Sequence, residues 1–65
     1  RLKDDLTRKL VDANKDLVRY QADLQQAELQ GKKDKVMKYK KKLEETTSEI
    51  KRLNDQLSQV EMLPQ

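Results

Sequence analysis

The sequence predicts an all-α fold in which helices pack through a coiled-coil seam. Apolar side chains recur along most of the 65 residues at alternating steps of three and four, the spacing that places heptad positions a and d on one face of a helix. A single glycine, a single proline and 42% charged residues are typical of a helical rod. With only 34% apolar residues, the seam is narrow, and the composition excludes a multilayered core.

The first predicted helix covers residues 3–29 and carries one comb of apolar side chains. Leucine occupies its a positions, while leucine, alanine and tyrosine share its d positions. The first comb consists of Leu6, Leu10, Ala13, Leu17, Tyr20, Leu24 and Ala27. Outside the comb, six basic and six acidic side chains within residues 1–29 cancel each other. We therefore expect one buried stripe and a mixed, electrically neutral surface.

The second predicted helix covers residues 35–62 and carries a comb of its own. This second comb consists of Val36, Tyr39, Leu43, Thr46, Ile50, Leu53, Leu57 and Val60. The hydroxyl of Thr46 at a d position is expected to weaken the packing locally. Pro64 ends the helix, because proline has no amide hydrogen to donate and its ring clashes with the preceding turn.

The two combs do not share a register. Continued forward, the a positions of the first comb reach Gly31 and Lys38, whereas the second comb has its first a position at Val36, two residues earlier. Coiled coils absorb shifts of three or four residues, but a shift of two has no simple accommodation. We therefore predict a break or turn at residues 30–34, in which Gly31 ends the first helix and Asp34 caps the second.

One topology that satisfies the mismatch is an antiparallel helical hairpin. Every a position meets a d position when the numbers of facing residues sum to 63, so that Leu10 faces Leu53 and Ala27 faces Val36. The same pairing sets two attractive charge pairs and one repulsive pair beside the seam. These are, in turn, Asp23 with Lys42, Glu28 with Lys33, and Asp16 with Glu49.

The other topology is one continuous helix, about 90 Å long, paired in parallel with a copy of itself. The second register runs back through Leu29 and Ala22, and Val18 and Val11 extend it further. The first helix can therefore be interpreted in either phase. The register mismatch slightly favours the hairpin.

A solitary chain of this size buries few side chains, so we expect a partner. Burial of the fifteen seam side chains stabilises the fold by much less than the conformational entropy that the chain loses on folding. The expected partners are a second copy, as a homodimer or higher helical bundle, or another coiled-coil protein.

The segment Ile50–Leu57, with the sequence IKRLNDQL, resembles the rods of myosin tails, kinesin stalks, golgins and centrosomal scaffolds. The resemblance points to no single family. It implies a fragment of a longer cytoskeletal, motor or trafficking protein, whose role is oligomerisation and scaffolding through the seam. The absence of cysteine fits a reducing compartment, and we expect an intracellular, cytoplasmic or cytoskeletal location.

Catalysis finds little support in the sequence. Histidine and cysteine are absent, and one glycine cannot form a glycine-rich phosphate loop. The carboxylate pairs Asp4-Asp5 and Glu44-Glu45 are expected to face water on a thin rod. We therefore predict a protein that is not an enzyme and has no cofactor, metal site or small-molecule substrate. No apolar run reaches the ~20 residues that a transmembrane helix needs.

A lysine cluster is the strongest charged feature of the surface. Residues 32–42 contain seven lysines and one acidic residue, Asp34. The candidate patch for an acidic partner consists of Lys33, Lys35, Lys38, Lys40, Lys41 and Lys42. An alternative function is therefore docking on an acidic polymer such as a microtubule.

Overall fold

The computed structural model describes residues 2–62 and places them in two antiparallel helices, α1 (Leu2–Gln30) and α2 (Lys33–Met62). Pro64, which was expected to end the second helix, lies outside the described residues. The molecule measures 52 × 14 × 10 Å. A helix of 30 residues is about 45 Å long, whereas one helix of 60 residues would be about 90 Å long. The chain therefore folds back on itself as a hairpin, and the continuous helix is not formed.

Both helices begin with acidic side chains in their first turns, namely Asp4 and Asp5 in α1 and Asp34 in α2. Carboxylates at this end interact favourably with the positive end of the helix dipole. Neither helix contains glycine or proline within its bounds, so the backbone hydrogen bonds run uninterrupted. Among the described residues, no helix combines the length and apolar character needed to cross a membrane.

The connection between the helices consists of Gly31 and Lys32. Gly31 has φ +69°, and its amide donates to the carbonyl of Glu28 at 3.1 Å. The amide of Lys32 donates to the carbonyl of Ala27, also at 3.1 Å. These two bonds form a Schellman motif. A Cβ atom at Gly31 would meet nothing within 4 Å, so the backbone conformation rather than crowding favours glycine here.

The second helix begins earlier than the sequence indicates. The carbonyl of Lys32 accepts a hydrogen bond from the amide of Val36 at 3.0 Å, which makes Lys32 the N-cap residue of α2. Asp34 lies two residues inside the helix, so its expected role as the cap is wrong. Because Lys32 completes the end of α1 and starts α2, the turn needs no additional residue.

The core lies between the helices and is concentrated toward the open end of the hairpin. Leu6, Ala13 and Leu53 are buried there. The side chains packed against them are Leu10, Ile50, Leu57 and Val60. A further buried alanine, Ala27, is 3% exposed in the last turns of α1. Small side chains at Ala13 and Ala27 permit close approach of the two helices at these levels.

An ion pair closes the open end of the hairpin. Lys3 Nζ lies 3.9 Å from Glu61 Oε1, and both side chains are more than half exposed. Such a surface pair contributes little free energy. The pair nevertheless shows that the first turn of α1 lies beside the last turn of α2.

Candidate interaction surfaces

The two predicted combs lie between the helices of a single chain. Every comb residue is buried or half-buried, and each comb faces the other helix rather than solvent. Side chains that a parallel dimer would cover with a second chain are therefore covered within the hairpin. A further interaction must use another surface or open the hairpin.

Thr46 lies in the comb without leaving its hydroxyl unpaired. The side chain is half-buried, and Oγ1 donates to the carbonyl of Lys42, one turn earlier, at 2.8 Å. This local bond satisfies the donor at a position where packing would otherwise bury it. The seam therefore tolerates the threonine without a polar partner on the opposite helix.

The repulsion expected between Asp16 and Glu49 is moderated inside each helix. Arg19 Nη2 lies 3.4 Å from Asp16 Oδ1, and Arg52 Nη2 lies 2.7 Å from Glu49 Oε2. Each arginine follows its carboxylate by three residues and therefore projects from the same side of the helix. The comb positions alone do not reveal this compensation, although the i,i+3 spacing of opposite charges is its signal in the sequence.

The two attractive pairs expected beside the seam are absent. Among residues 2–62, no ion pair joins Asp23 to Lys42 or Glu28 to Lys33. Exposed pairs of long side chains gain about 0 to 1 kcal/mol, which is too little to fix their conformations. The expected proximity of these residues therefore produces no ion pair.

An apolar stripe runs along the outer face of α1. Val11, Val18 and Leu29 are 49%, 64% and 79% exposed, and Ala22 is exposed between them. At 100° per residue, these four positions lie within about 40° of one another around the helix. They point away from the first comb, so α2 does not cover them. We refer to Val11, Val18, Ala22 and Leu29 as the outer stripe.

A shallow groove follows the first half of the outer stripe, lined by Val11, Asn14, Lys15 and Val18. The side-chain amide of Asn14 donates to the carbonyl of Leu10 at 2.9 Å. This donor is therefore already bonded within α1. Toward the end of α1, the stripe is flanked by the uncharged side chains Gln21, Gln25 and Gln26. Lys15 is therefore the main charge on the face of the stripe.

All six lysines of the candidate patch are exposed. Among the described residues, none of them is within ion-pair distance of a carboxylate. Lys38 Nζ lies 5.9 Å from the centre of the Tyr39 ring, a weak cation–π contact at an exposed site. The patch begins at the turn and continues around the first half of α2, so the charge forms a collar rather than a flat surface.

The paired carboxylates lie on exposed surface, Asp4-Asp5 in the first turn of α1 and Glu44-Glu45 in the middle of α2. Within residues 2–62, no three side chains of the metal-binding types come together in a group that would hold an ion. The described surface thus offers two features of unusual character, the outer stripe and the lysine patch.

Comparison with known families gives one match. A protein-family model described as a protein of unknown function (DUF1090) matches residues 1–52, which is four fifths of the chain. The matched range includes all of α1, the turn and α2 as far as Arg52. No curated protein and no solved structure matches the chain.

Proposed function

We propose that this chain, which belongs to the DUF1090 family, is a non-catalytic protein–protein interaction module. In this proposal a coiled-coil seam holds the two helices together, and the outer stripe of α1 binds a helix of a partner. The observation that carries the proposal is the exposure of Val11, Val18 and Leu29, at 49%, 64% and 79%, along one face of an otherwise highly charged surface.

The internal seam is proposed to follow heptad packing with facing residue numbers that sum to 63. Two observations support this register. The side chains of the core cluster fall into facing pairs under that rule, as Leu6 with Leu57 and Leu10 with Leu53. The ion pair between Lys3 and Glu61 lies within one residue of the same register, at the end of the hairpin farthest from the turn.

The spacing of the outer stripe supports a helical partner. Single exposed apolar side chains are common on proteins. Here Val11 and Val18 are seven residues apart, as are Ala22 and Leu29, and a shared face makes one continuous strip rather than scattered contacts. Amphipathic helices bind such strips through anchors one or two turns apart. A scaffolding role follows, because the hairpin presents this face on a helix that its own seam holds in place.

Site-specific photocrosslinking in cells that express the protein tests the proposal. A benzophenone amino acid at Val18 is expected to form a covalent adduct with a protein partner, because this side chain lies at the centre of the outer stripe. The matched control carries the same group at Ser48, an exposed position on α2. Equal adducts at both positions, or none at Val18, would contradict the assignment of the stripe as a binding surface.

A second candidate function is docking on an acidic polymer through the lysine patch. The favouring observation is that six exposed lysines lie beyond ion-pair distance of any carboxylate in the described part of the chain. Changing Lys35, Lys38 and Lys42 to glutamine should weaken binding to poly-L-glutamate and flatten its salt dependence.

The matched control for that test changes Lys9, Lys15 and Lys51 to glutamine, which removes the same charge elsewhere on the exposed surface. Equal losses in the two triple variants would show that net charge, rather than the patch, governs binding. Circular dichroism should report unchanged helicity in both variants, since none of these lysines belongs to either comb.

A further inference from the structure

We propose that the partner of the outer stripe is a second copy of this chain, bound in the antiparallel direction. Two hairpins then meet through their α1 helices and form a four-helix assembly with a twofold axis between Val18 and Ala22. This inference rests on the proposed binding role of the stripe and specifies its occupant.

The outer stripe is complementary to itself in one antiparallel register. When residue numbers across the interface sum to 40, Val11 faces Leu29 of the second copy and Val18 faces Ala22 of the second copy. The twofold axis repeats both contacts, which gives four apolar layers. Each layer pairs a valine of one copy with a leucine or an alanine of the other, so every side chain of the stripe meets an apolar side chain across the axis.

The charge distribution selects the antiparallel direction. In a parallel pair, each layer meets its own copy, so Lys15 would face Lys15 across the contact. In the antiparallel register, Lys15 faces the uncharged Gln25 of the second copy.

One like-charged juxtaposition remains near the twofold axis, where Arg19 approaches Arg19 of the second copy. Each of these guanidinium groups is already engaged by Asp16 of its own helix at 3.4 Å. The local charge is therefore partly neutralised before the two copies meet, and exposed charges at this distance are further screened by salt.

The size of the stripe predicts a weak and concentration-dependent dimer. From Val11 to Leu29 the stripe extends about 27 Å along the helix, and its width is that of one helix face. Such a contact buries less area than the ~800 Å² per partner of a standard stable interface. We therefore expect a weak dimer, with little self-association at low micromolar concentration.

Sedimentation equilibrium over about 10 μM to 1 mM measures the self-association, with the 7.7 kDa chain expected to approach twice its mass. Val18→Glu should weaken the dimer about tenfold or more, because it places a charge within an apolar layer. Ala22→Leu should strengthen the dimer by extending the layer against Val18. Both replacements retain good helix formers, so neither is expected to unfold the hairpin.

Met37→Glu is the matched control, because Met37 is 70% exposed on α2, outside the outer stripe. This variant should dimerise like the parent chain. A parent chain that stays monomeric up to 1 mM would overturn the inference, and so would equal effects of Val18→Glu and Met37→Glu.

Disulfide exchange tests the register and direction. The chain has no cysteine, so Val18→Cys and Ala22→Cys variants can be mixed in a glutathione redox buffer and the products identified by intact mass. The antiparallel register predicts an excess of the mixed disulfide over the statistical share, because these two positions face each other. An excess of the two homodisulfides would identify parallel pairing and contradict the proposal.

The photocrosslink at Val18 separates failure of this inference from failure of the proposed function. An adduct with a second copy supports both. An adduct confined to a different protein, together with a monomeric chain in sedimentation, retains the binding stripe but overturns self-association. Absence of any adduct above the Ser48 control, together with a monomeric chain in sedimentation up to 1 mM, overturns both.

Discussion

Replacing Leu53 and Leu57 with alanine is expected to unfold the hairpin. Leu53 is 3% exposed and belongs to the core cluster, and Leu57 packs against that cluster. Truncation of a packed leucine costs about 2 to 5 kcal/mol, with the half-buried Leu57 toward the lower end. A domain of this size has few layers with which to offset the loss. The measurement is helicity by circular dichroism during thermal unfolding, at low micromolar concentration.

The matched control makes the same chemical change at Leu2 and Leu29, which are 61% and 79% exposed. Two Leu→Ala replacements there retain helix propensity and remove little buried area, so the hairpin should remain folded. Similar melting of the two double variants, or unchanged melting in the Leu53 and Leu57 variant, would contradict the assignment of the core.

Replacing Ala27 with leucine is expected to lower the free energy of unfolding by about 1 to 3 kcal/mol, the usual cost of overpacking. Ala27 is 3% exposed, and its carbonyl accepts the hydrogen bond from Lys32 that closes the turn. A longer side chain has to separate the helices at this level or displace the turn. Urea unfolding monitored by circular dichroism measures the change.

Ala22→Leu is the control for this substitution, because Ala22 is exposed on the same helix. At low micromolar concentration, where self-association contributes little, its free energy of unfolding should change by less than about 0.5 kcal/mol. A stability loss at Ala22 equal to that at Ala27 would show that side-chain size, rather than burial, explains the effect.

Much of the fold follows from hydrophobic periodicity. The two-residue mismatch between the combs favoured an interruption between Leu24 and Val36, and Gly31 was the residue there best suited to a left-handed backbone conformation. The structure ends α1 at Gln30 and gives Gly31 φ +69°. Periodicity is informative here because burial of a whole face involves many side chains together, and a change of register would expose all of them.

Features that depend on one weak interaction, such as a helix cap or a surface ion pair, could not be predicted from the hydrophobic periodicity. The sequence suggested Asp34 as a cap, but the Lys32 carbonyl already accepts the first hydrogen bond of α2, from the amide of Val36. The two attractive charge pairs expected beside the seam also form no ion pair in the described residues, since surface side chains choose among conformers that differ by less than about 1 kcal/mol. Val11 and Val18 were visible as an extension of the second register, yet their exposure depended on which topology formed.

The distance between spin labels at Lys9 and Asn54 tests the hairpin most directly. Both positions are exposed, so labelled cysteines there should not disturb the core, and dilution with unlabelled chain removes distances between copies. Because the helices are antiparallel, pulsed electron paramagnetic resonance should report a dominant distance of roughly 15 to 30 Å, the sum of a helix separation of 8–10 Å and two label linkers. A dominant distance beyond about 50 Å, with helicity retained, is what a continuous helix would give and would contradict the hairpin.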